Sequence, residues 1–398
     1  MTAIEDDIAT RPPRVAFYRN PRARSVVAQA IFILLLLWLG FELFVNARSN
    51  LAAKGILSGF GFLNNSAGFD VNQTLIPYGP TDTVGRLYVV GLLNTLLVAV
   101  LGIVFATILG FIIGIARLSG NWLVARLAGG YVELVRNLPL LFQLLFWYLA
   151  VLGTLPAARE SLSLFGVAFL NNRGAVLPKP VLADGAGLVG LALILALAGV
   201  WLLRRWARAR QAATGKTLPT FRISAAMIVG FPLIAMAATG FPVSFEIPEL
   251  RGFNFAGGLR VIPEFAALLI GLVIYTAAFI AETVRGGILA VSRGQSEAAA
   301  ALGLPRRRAM RLVIIPQALR VIIPPLTSHY LNLTKNSSLA VGIGYPDLFA
   351  IFAGTALNQT GAQAIEIIAI TMATYLVLSL ATSALMNFYN ARLRLVER

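Results

Sequence analysis

The residues of this chain that could bind a small polar ligand are amides, hydroxyls and a lysine set in otherwise apolar stretches. Hydroxyls and a lysine ammonium can donate hydrogen bonds to a carboxylate, and an amide can donate or accept. Such a set suits a zwitterion, which needs donors for its carboxylate and acceptors for its ammonium. The candidate contacts are Gln143, Tyr275, Thr276, Asn332, Lys335, Asn336, Ser337 and Ser338.

Two of these candidate positions have alternative interpretations. The run Asn336-Ser337-Ser338 could equally be a turn that ends a helix. The single histidine, His329, is interpreted as a structural residue.

Two pairs of opposite charges stand three residues apart, which puts each pair on one helix face. They are Glu133 with Arg136 and Glu282 with Arg285. A charge at the centre of a membrane helix costs roughly 2.5–3.5 kcal/mol on insertion scales, and less near the ends. We therefore predict two local ion pairs, with a gating contact as the alternative role.

The chain has no motif for ATP hydrolysis or for a metal site. A phosphate-binding loop needs G-x-x-x-x-G-K-[ST], and the single Gly-Lys-Thr, which starts at Gly215, has Arg210 in place of the first glycine. There is no H-E-x-x-H sequence, and the absence of cysteine excludes thiolate ligands and disulfides. We predict no cofactor and no metal in this chain, so a partner must supply the energy.

Composition places these residues in a membrane protein. Of 398 residues, 58% are hydrophobic and 13% are charged, whereas soluble domains have about 25% charged residues. A membrane helix needs about 20 apolar residues, and the third qualifying segment contains Pro139, which predicts a kink. The eight qualifying segments lie near 26–46, 88–116, 132–155, 186–203, 223–240, 263–284, 311–333 and 362–389.

The distribution of Lys and Arg predicts the orientation of these spans. With the N-terminus inside, the inner loops hold 22 of these residues and the outer loops hold nine. The positive-inside rule then places both tails, 1–25 and 391–398, in the cytoplasm and the loop 47–86 in the periplasm. The first span is too long for a signal-peptide core and is interpreted as an uncleaved anchor. The net charge of +16 follows this loop pattern, so we predict a lipid bilayer as partner and no nucleic acid.

The loop after the sixth span has the features of a short helix. Ser292 and Gln295 have the spacing of a capping box, and Glu297 would lie in the first turn, where a carboxylate favours the helix dipole. Four alanines follow Glu297, and Gly303 supplies a stop. We predict a two-turn cytoplasmic helix over about 296–302, with an ordinary linker as the alternative.

This loop resembles the EAA loop of ABC importer permeases. That pattern is EAA, three residues, G, nine residues and I-x-L-P, and the chain has EAA, G and V-x-I-P at the same spacing. The resemblance implies the all-α fold of a type I ABC importer transmembrane domain, with a coupling helix that docks on a separate ATPase subunit that binds ATP and Mg²⁺. The resemblance implies that the residues coupling this chain to the ATPase are Glu297, Ala298, Ala299, Gly303 and Pro316.

Other segments resemble permeases for polar amino acids, the histidine, glutamate, glutamine, arginine and opine group. The similarity covers about 90–155 and 263–390, so 87–390 is predicted as the transmembrane domain with an insertion at 156–262. The insertion resembles the longer permeases of general L-amino-acid importers. The segments that carry the resemblance are 91–119, 131–149, 275–291 and 331–340.

The resemblance implies a function and a set of partners. The chain is expected to move L-amino acids, of broad and polar range, from periplasm to cytoplasm across the bacterial inner membrane. Its expected partners are ABC ATPase subunits, a periplasmic amino-acid-binding protein and a second homologous permease, as a heterodimer or alternatively a homodimer. Related permeases often carry Asp at the position of Asn336 and Tyr at that of Phe279, so a specifically cationic substrate is not favoured.

Two other classes of membrane protein are the alternatives. An ion-driven secondary amino-acid transporter usually shows inverted repeats and buried carboxylates, and the sequence shows neither. A channel or a non-transporting scaffold has no need of a docking helix. Neighbouring genes for an ATPase, a second permease with an EAA loop and a binding protein would separate the importer from both.

Overall fold

A computed structural model of the protein describes residues 21–53, 59–357 and 363–393. Most of the described chain is helical, as its long apolar runs predict. The α-helices are α1 (Pro21–Ala53), α2 (Val84–Ala116), α3 (Trp122–Asn137), α4 (Leu140–Leu145), α5 (Ala186–Thr214), α6 (Thr220–Ala238), α7 (Pro263–Leu289), α8 (Arg293–Ala301), α9 (Arg306–Ala309), α10 (Ile315–Asn336) and α11 (Ala364–Leu393).

Shorter helical segments extend or connect these helices. The π-helical segments are Phe146–Leu152, Met310–Ile314 and Phe349–Ala356. The 3-10 segments are Gly61–Asn64, Ala158–Glu160 and Ser337–Ile343.

Seven unbroken helical runs in the described ranges are long and apolar enough to cross a membrane. They are α1, α2, α5, α6, α7, the run Arg306–Ile343 around α10, and α11. The bent pair of α3 and the run Leu140–Leu152 makes an eighth span if it is counted as one. The parts of the predicted tails at 1–20 and 394–398 lie outside the described residues.

The third predicted span is broken rather than kinked. Its two halves meet at 108°, and Pro139 lies at the break. Leu138 and Pro139 have ψ angles of 131° and 137°, both extended. A residue before proline is disfavoured in the α region, and proline cannot donate a helix hydrogen bond, so both effects act at one point. The kink predicted at Pro139 is therefore a break, and the span predicted near 132–155 consists of two helical halves.

Small residues let α2 and α7 approach closely. Gly110 and Gly114 of α2 are buried, and a Cβ built on them would lie 2.6 Å from the Ile280 side chain and 2.7 Å from the Ala281 carbonyl. Membrane helices without a hydrophobic driving force between them associate through such close packing. The two helices therefore pack closely against each other along this stretch.

The segment after α10 is held to the first third of α2 by buried hydrogen bonds. Tyr345, which is fully buried, donates from its hydroxyl to the Asn94 carbonyl at 3.2 Å. The Asn94 amide donates to the Pro346 carbonyl at 2.8 Å, and the Leu348 amide donates to Thr95 Oγ1 at 3.0 Å. These bonds satisfy backbone groups that the irregular segment cannot pair within itself.

The segment 156–262 contains the helix pair α5 and α6, which pack on each other, and eight short strands. The strands pair antiparallel in the orders β1-β2-β3-β8, β4-β5 and β6-β7. Strands of three or four residues are too short to show an alternation of apolar and polar residues. In addition, β3 pairs with β8, which follows it only after both helices α5 and α6. The all-α prediction therefore omitted them. They are β1 (Leu162–Leu164), β2 (Ala168–Asn171), β3 (Gly174–Leu177), β4 (Lys179–Leu182), β5 (Val243–Glu246), β6 (Glu249–Arg251), β7 (Asn254–Ala256) and β8 (Leu259–Val261).

Candidate functional site

A cavity of about 230 Å³ lies between α7 and α10. Positions three, four or seven apart share a helix face, so each helix presents one stripe of side chains to it. This cavity, called the first cavity below, brings together Tyr275, Thr276, Asn332 and Asn336 of the eight candidate residues. It is lined by Tyr275, Thr276, Phe279, His329, Asn332 and Asn336.

Three polar groups at the first cavity are free to bind a ligand. The amides of Asn332 and Asn336 and the Tyr275 hydroxyl form no hydrogen bond with any residue that the structure describes. The prediction that His329 is merely structural is incomplete, because its ring lines the cavity while its Nε2 lies 2.8 Å from Thr283 Oγ1. The spacing of His329 to Asn332 and Asn336 was the signal that could have placed it here.

Gln143 is not a free ligand contact, contrary to the sequence prediction. Its side chain is buried, and Nε2 donates to the carbonyls of Val135 and Leu138 at 3.0 Å each. Those carbonyls lose their helix partners at the Pro139 break. Gln143 therefore stabilises the break between α3 and α4, and it does not line the first cavity.

The remaining three candidates also lie outside the lining. Ser337 and Ser338 donate their hydroxyls to the carbonyls of Thr334 and Lys335, both at 2.8 Å. This is the helix-ending turn that the sequence left open, since the 3-10 segment starts at Ser337. The Lys335 side chain is exposed and forms no ion pair within the described ranges.

One of the two predicted ion pairs is confirmed. Arg285 Nη2 donates to Glu282 Oε1 at 2.6 Å, and Glu282 also pairs with Arg117 through its other oxygen. Arg117 stands 165 residues earlier in the chain, so no local pattern could indicate it. The Glu133–Arg136 pair was a wrong prediction. These two side chains form no ion pair or hydrogen bond with each other or with any other described residue.

Arg136 instead lies over an aromatic ring. Its Cζ is 5.1 Å from the centroid of Phe279, at cation–π distance. Arg136 and Phe279 belong to a further cavity of about 390 Å³, called the charged cavity below. Phe279 lines both cavities. The charged cavity is lined by Arg117, Val132, Glu133, Arg136, Asn137, Phe279 and Glu282.

The helix predicted over 296–302 exists, but it begins earlier. It starts at Arg293, so Glu297 lies in the second turn and not the first. The Ser292 side chain makes no capping hydrogen bond, and the Gln295 side chain bonds Gln317 of α10 at 3.2 Å instead of closing a capping box. The predicted stop is confirmed, because Gly303 follows the helix with a φ of +71°.

The faces of α8 differ from the sequence prediction. Ala299 is only 3% exposed, because α8 packs against α9 and the π-helical segment that follows it, so Ala299 cannot lie on an outer docking face. Ala298 and Glu297 are exposed, and Leu302 is 81% exposed. Pro316 is exposed at the second position of α10.

A buried carboxylate lies beyond the end of α10. Asp347 is fully buried. Its carboxylate accepts hydrogen bonds from the Ala350 amide at 2.8 Å and from the Tyr375 hydroxyl at 3.1 Å. Burial raises the pKa of Asp347 to about 7, and these hydrogen bonds oppose the rise only in part. Asp347 was not among the candidate residues, because its side-chain partner Tyr375 lies 28 residues further along the chain, on α11.

A family model described as a binding-protein-dependent transport system inner membrane component matches residues 102–395. This chain belongs to that permease family. The sequences of three relatives align with this permease over nearly its full length. The putative amino-acid ABC transporter permease YhdX of Escherichia coli is 52% identical over 96% of this chain and 97% of its own.

The other two relatives come from different bacteria. The general L-amino acid transport system permease AapQ of Rhizobium johnstonii is 52% identical over 97% of this permease and 96% of its own length. The glutamate/glutamine/aspartate/asparagine transport system permease BztB of Rhodobacter capsulatus is 44% identical over 98% and 100%. The expected membership of the amino-acid ABC permeases is therefore confirmed.

Membership settles the class of activity. This permease is a multi-pass inner-membrane subunit of an ABC importer with the type I transmembrane domain of its family, and it is not an enzyme. ATP is hydrolysed by a partner ATPase, and a substrate-binding protein delivers the cargo. The alternatives of an ion-driven carrier, a channel or a scaffold are excluded by this membership.

Proposed function

We propose that this permease conducts L-amino acids of broad, polar range through the first cavity. The observation that carries the proposal is the set of unpartnered amides of Asn332 and Asn336 and the Tyr275 hydroxyl, facing one cavity between α7 and α10. An amide donates to a carboxylate through its nitrogen and accepts from an ammonium through its oxygen. The names of its relatives, all amino-acid permeases, support the same substrate class.

The lining carries no carboxylate or lysine, which suits a broad range. A site without a fixed charge has no strong preference between anionic, neutral and cationic side chains, and it recognises the shared α-amino and α-carboxylate groups. Tyr275 and Phe279, with ring centroids 4.9 Å apart, supply apolar surface for the substrate side chain.

Coupling to the ATPase runs through α8 in this proposal. Helix α8 follows α7 directly, and it is tied to the start of α10 by the Gln295–Gln317 hydrogen bond. Of the two helices that line the first cavity, α7 is therefore joined to α8 by three residues of chain and α10 by a hydrogen bond. An ATPase that moves α8 would shift α7 against α10 and open or close the cavity. The outward-facing Glu297, Ala298 and Leu302 form the docking face.

The proposal also includes the orientation of this permease in the membrane and the identity of its partner permease. Both termini are cytoplasmic, which places α8 and the α5–α6 connection inside, in agreement with the Lys and Arg distribution. The second permease is a homologue that forms a heterodimer with this one.

Uptake into proteoliposomes tests the substrate proposal. The permease is reconstituted with its ATPase, the second permease and the binding protein, and uptake of radiolabelled L-glutamine, L-glutamate and L-arginine is measured with and without ATP. Losing a hydrogen bond to a charged group costs about 1.5–3 kcal/mol. Asn332→Ala or Asn336→Ala should therefore weaken apparent affinity roughly tenfold to a hundredfold.

The matched control is Asn172→Ala, which removes an exposed amide in the insertion. It should leave uptake unchanged. The proposal would be refuted if a complex that still hydrolyses ATP took up none of the three amino acids. Unchanged affinity in both cavity variants would remove the first cavity from the substrate path.

Cysteine labelling tests the orientation, since the native chain has no cysteine. In intact cells, an impermeant thiol reagent should label Asn172→Cys on the outside and leave Gln211→Cys in α5 unlabelled. Both positions are exposed, so access through the protein is equal. Labelling of Gln211→Cys without cell disruption would reverse the proposed orientation.

A further inference from the structure

Four charged side chains line the charged cavity, and only two of them form ion pairs. Arg117 and Glu282 pair with each other, and Arg285 holds the other oxygen of Glu282. Glu133 and Arg136 have no ionic partner among the described residues. One cation and one anion are therefore available at the same cavity.

These two free charges share one helix face. Glu133 and Arg136 stand one turn apart on α3, and both line the cavity. A free amino acid carries a carboxylate and an ammonium on neighbouring atoms, and it can satisfy both side chains at once. A simple anion or cation would satisfy one of them and leave the other unpaired. The charged cavity has a volume of about 390 Å³.

Phe279 separates the charged cavity from the first cavity. Its ring lines both, with Arg136 on the charged side at 5.1 Å and the His329 ring at 6.2 Å on the other. The charged cavity also lies nearer the α8 end of α7, because Glu282 follows Phe279 along the helix toward Leu289. A substrate that leaves the first cavity toward α8 therefore has to pass Phe279.

We infer that the charged cavity is a second binding site for the transported zwitterion, on its exit path, with Arg136 holding the carboxylate, Glu133 the ammonium and Phe279 the partition. This inference rests on the proposed function, because the first cavity supplies the substrate. Arg136 leaves the Phe279 ring when it binds the carboxylate of a substrate that has already passed Phe279.

Binding stoichiometry tests the second site. The membrane complex of both permeases and the ATPase, without the binding protein, is purified in lipid nanodiscs without nucleotide, and bound radiolabelled L-glutamine is measured by equilibrium dialysis. Arg136→Gln and Asn336→Ala should each remove one equivalent relative to the native complex, and the double variant should remove two. Arg136→Lys keeps the cation and should retain the equivalent. The control is Arg126→Gln, an exposed arginine on the same helix that lines neither cavity, and it should change nothing.

Uptake distinguishes a site from a purely structural contact. Arg136→Gln should lower the maximal uptake rate about tenfold, while the affinity of the remaining first site and the melting temperature stay native. If Arg136 had a purely structural role, Arg136→Gln would lower the melting temperature and weaken binding at both sites. That result would overturn the inference. Phe279→Ala should give efflux of L-glutamine without ATP, whereas Phe279→Tyr, which keeps the ring, should not.

The outcomes separate the two proposals. If the native complex binds no L-glutamine, the proposed substrate function fails and the second site fails with it. If it binds one equivalent that Asn336→Ala abolishes and Arg136→Gln leaves intact, the first cavity stands and the charged cavity is no substrate site.

Discussion

Gly303→Val should uncouple transport from ATP hydrolysis by disrupting the end of α8. Gly303 has a φ of +71°, its amide donates to the Ala300 carbonyl at 2.9 Å, and the Leu304 amide donates to the Ala299 carbonyl at 3.0 Å. This is the Schellman pattern, which needs a left-handed residue at that position. A Cβ at Gly303 meets no heavy atom within 4 Å, so backbone strain is the whole cost within the chain.

The magnitude of that strain can be estimated. A left-handed conformation costs an L-residue about 1–2 kcal/mol, and strained backbone conformations reach about 3 kcal/mol. Each 1.4 kcal/mol is roughly a tenfold shift in the equilibrium between the native helix end and a rearranged one. Gly303→Asn should be mildest because asparagine tolerates this region, Gly303→Ala intermediate, and Gly303→Val most severe because of its branched Cβ.

The assay follows coupling in the reconstituted importer. Substrate-stimulated ATP hydrolysis, ATPase binding and L-glutamine uptake should fall in the order Asn, Ala, Val, with normal abundance of the permease in the membrane. Gly294→Ala is the control, because Gly294 is in the same helix without positive φ and its Cβ would lie 3.6 Å from Ser292 Oγ. Native coupling in Gly303→Val at normal abundance would refute both the strain argument and the docking role of α8.

Three further outcomes follow. Leu302→Asp should weaken ATPase binding roughly tenfold to a hundredfold, because burying a leucine contributes about 1.5–3 kcal/mol; native affinity in a pull-down titration would exclude Leu302 from the docking face. Asn336→Asp should raise the ratio of L-arginine to L-glutamate uptake, because it adds a negative charge to the first cavity; an unchanged ratio, with Asn172→Asp as control, would contradict that. Asp347 is protonated in the folded protein up to a pKa of about 7 but ionised above its ordinary 3.8 when unfolded, so stability should fall as pH rises between these values and level off above 7. Asp347→Asn should abolish that slope in thermal melts between pH 5 and 8.

Much of the fold was predictable because the membrane makes sequence patterns simple. Backbone groups in lipid must be satisfied within a helix, so each apolar run of about 20 residues predicts one span. Gly110 and Gly114, four residues apart on one helix face, allow the close contact between α2 and α7. The eight short strands were not predicted, since β3 pairs with β8 across the intervening helices.

The candidate site was predictable only in part. Asn332 and Asn336 stood out because polar groups in an apolar run need a reason, and the structure leaves them unpartnered at a cavity. Gln143 stood out equally, yet its amide is used up by the carbonyls at the Pro139 break. A sequence shows that a polar side chain is present, but not whether a neighbouring backbone group already takes its hydrogen bonds.

The sequence by itself determined that this is a polytopic membrane protein, and the spacing from Glu297 to Gly303 gave its resemblance to ABC importer permeases, because hydropathy and residue spacing are local properties. The tertiary structure decided which charges are paired and which are free. Arg117 reaches Glu282 across 165 residues, while Glu133 and Arg136, neighbours on one helix, remain apart. Side-chain direction and the approach of another helix set these pairings, and neither can be derived from spacing along the chain.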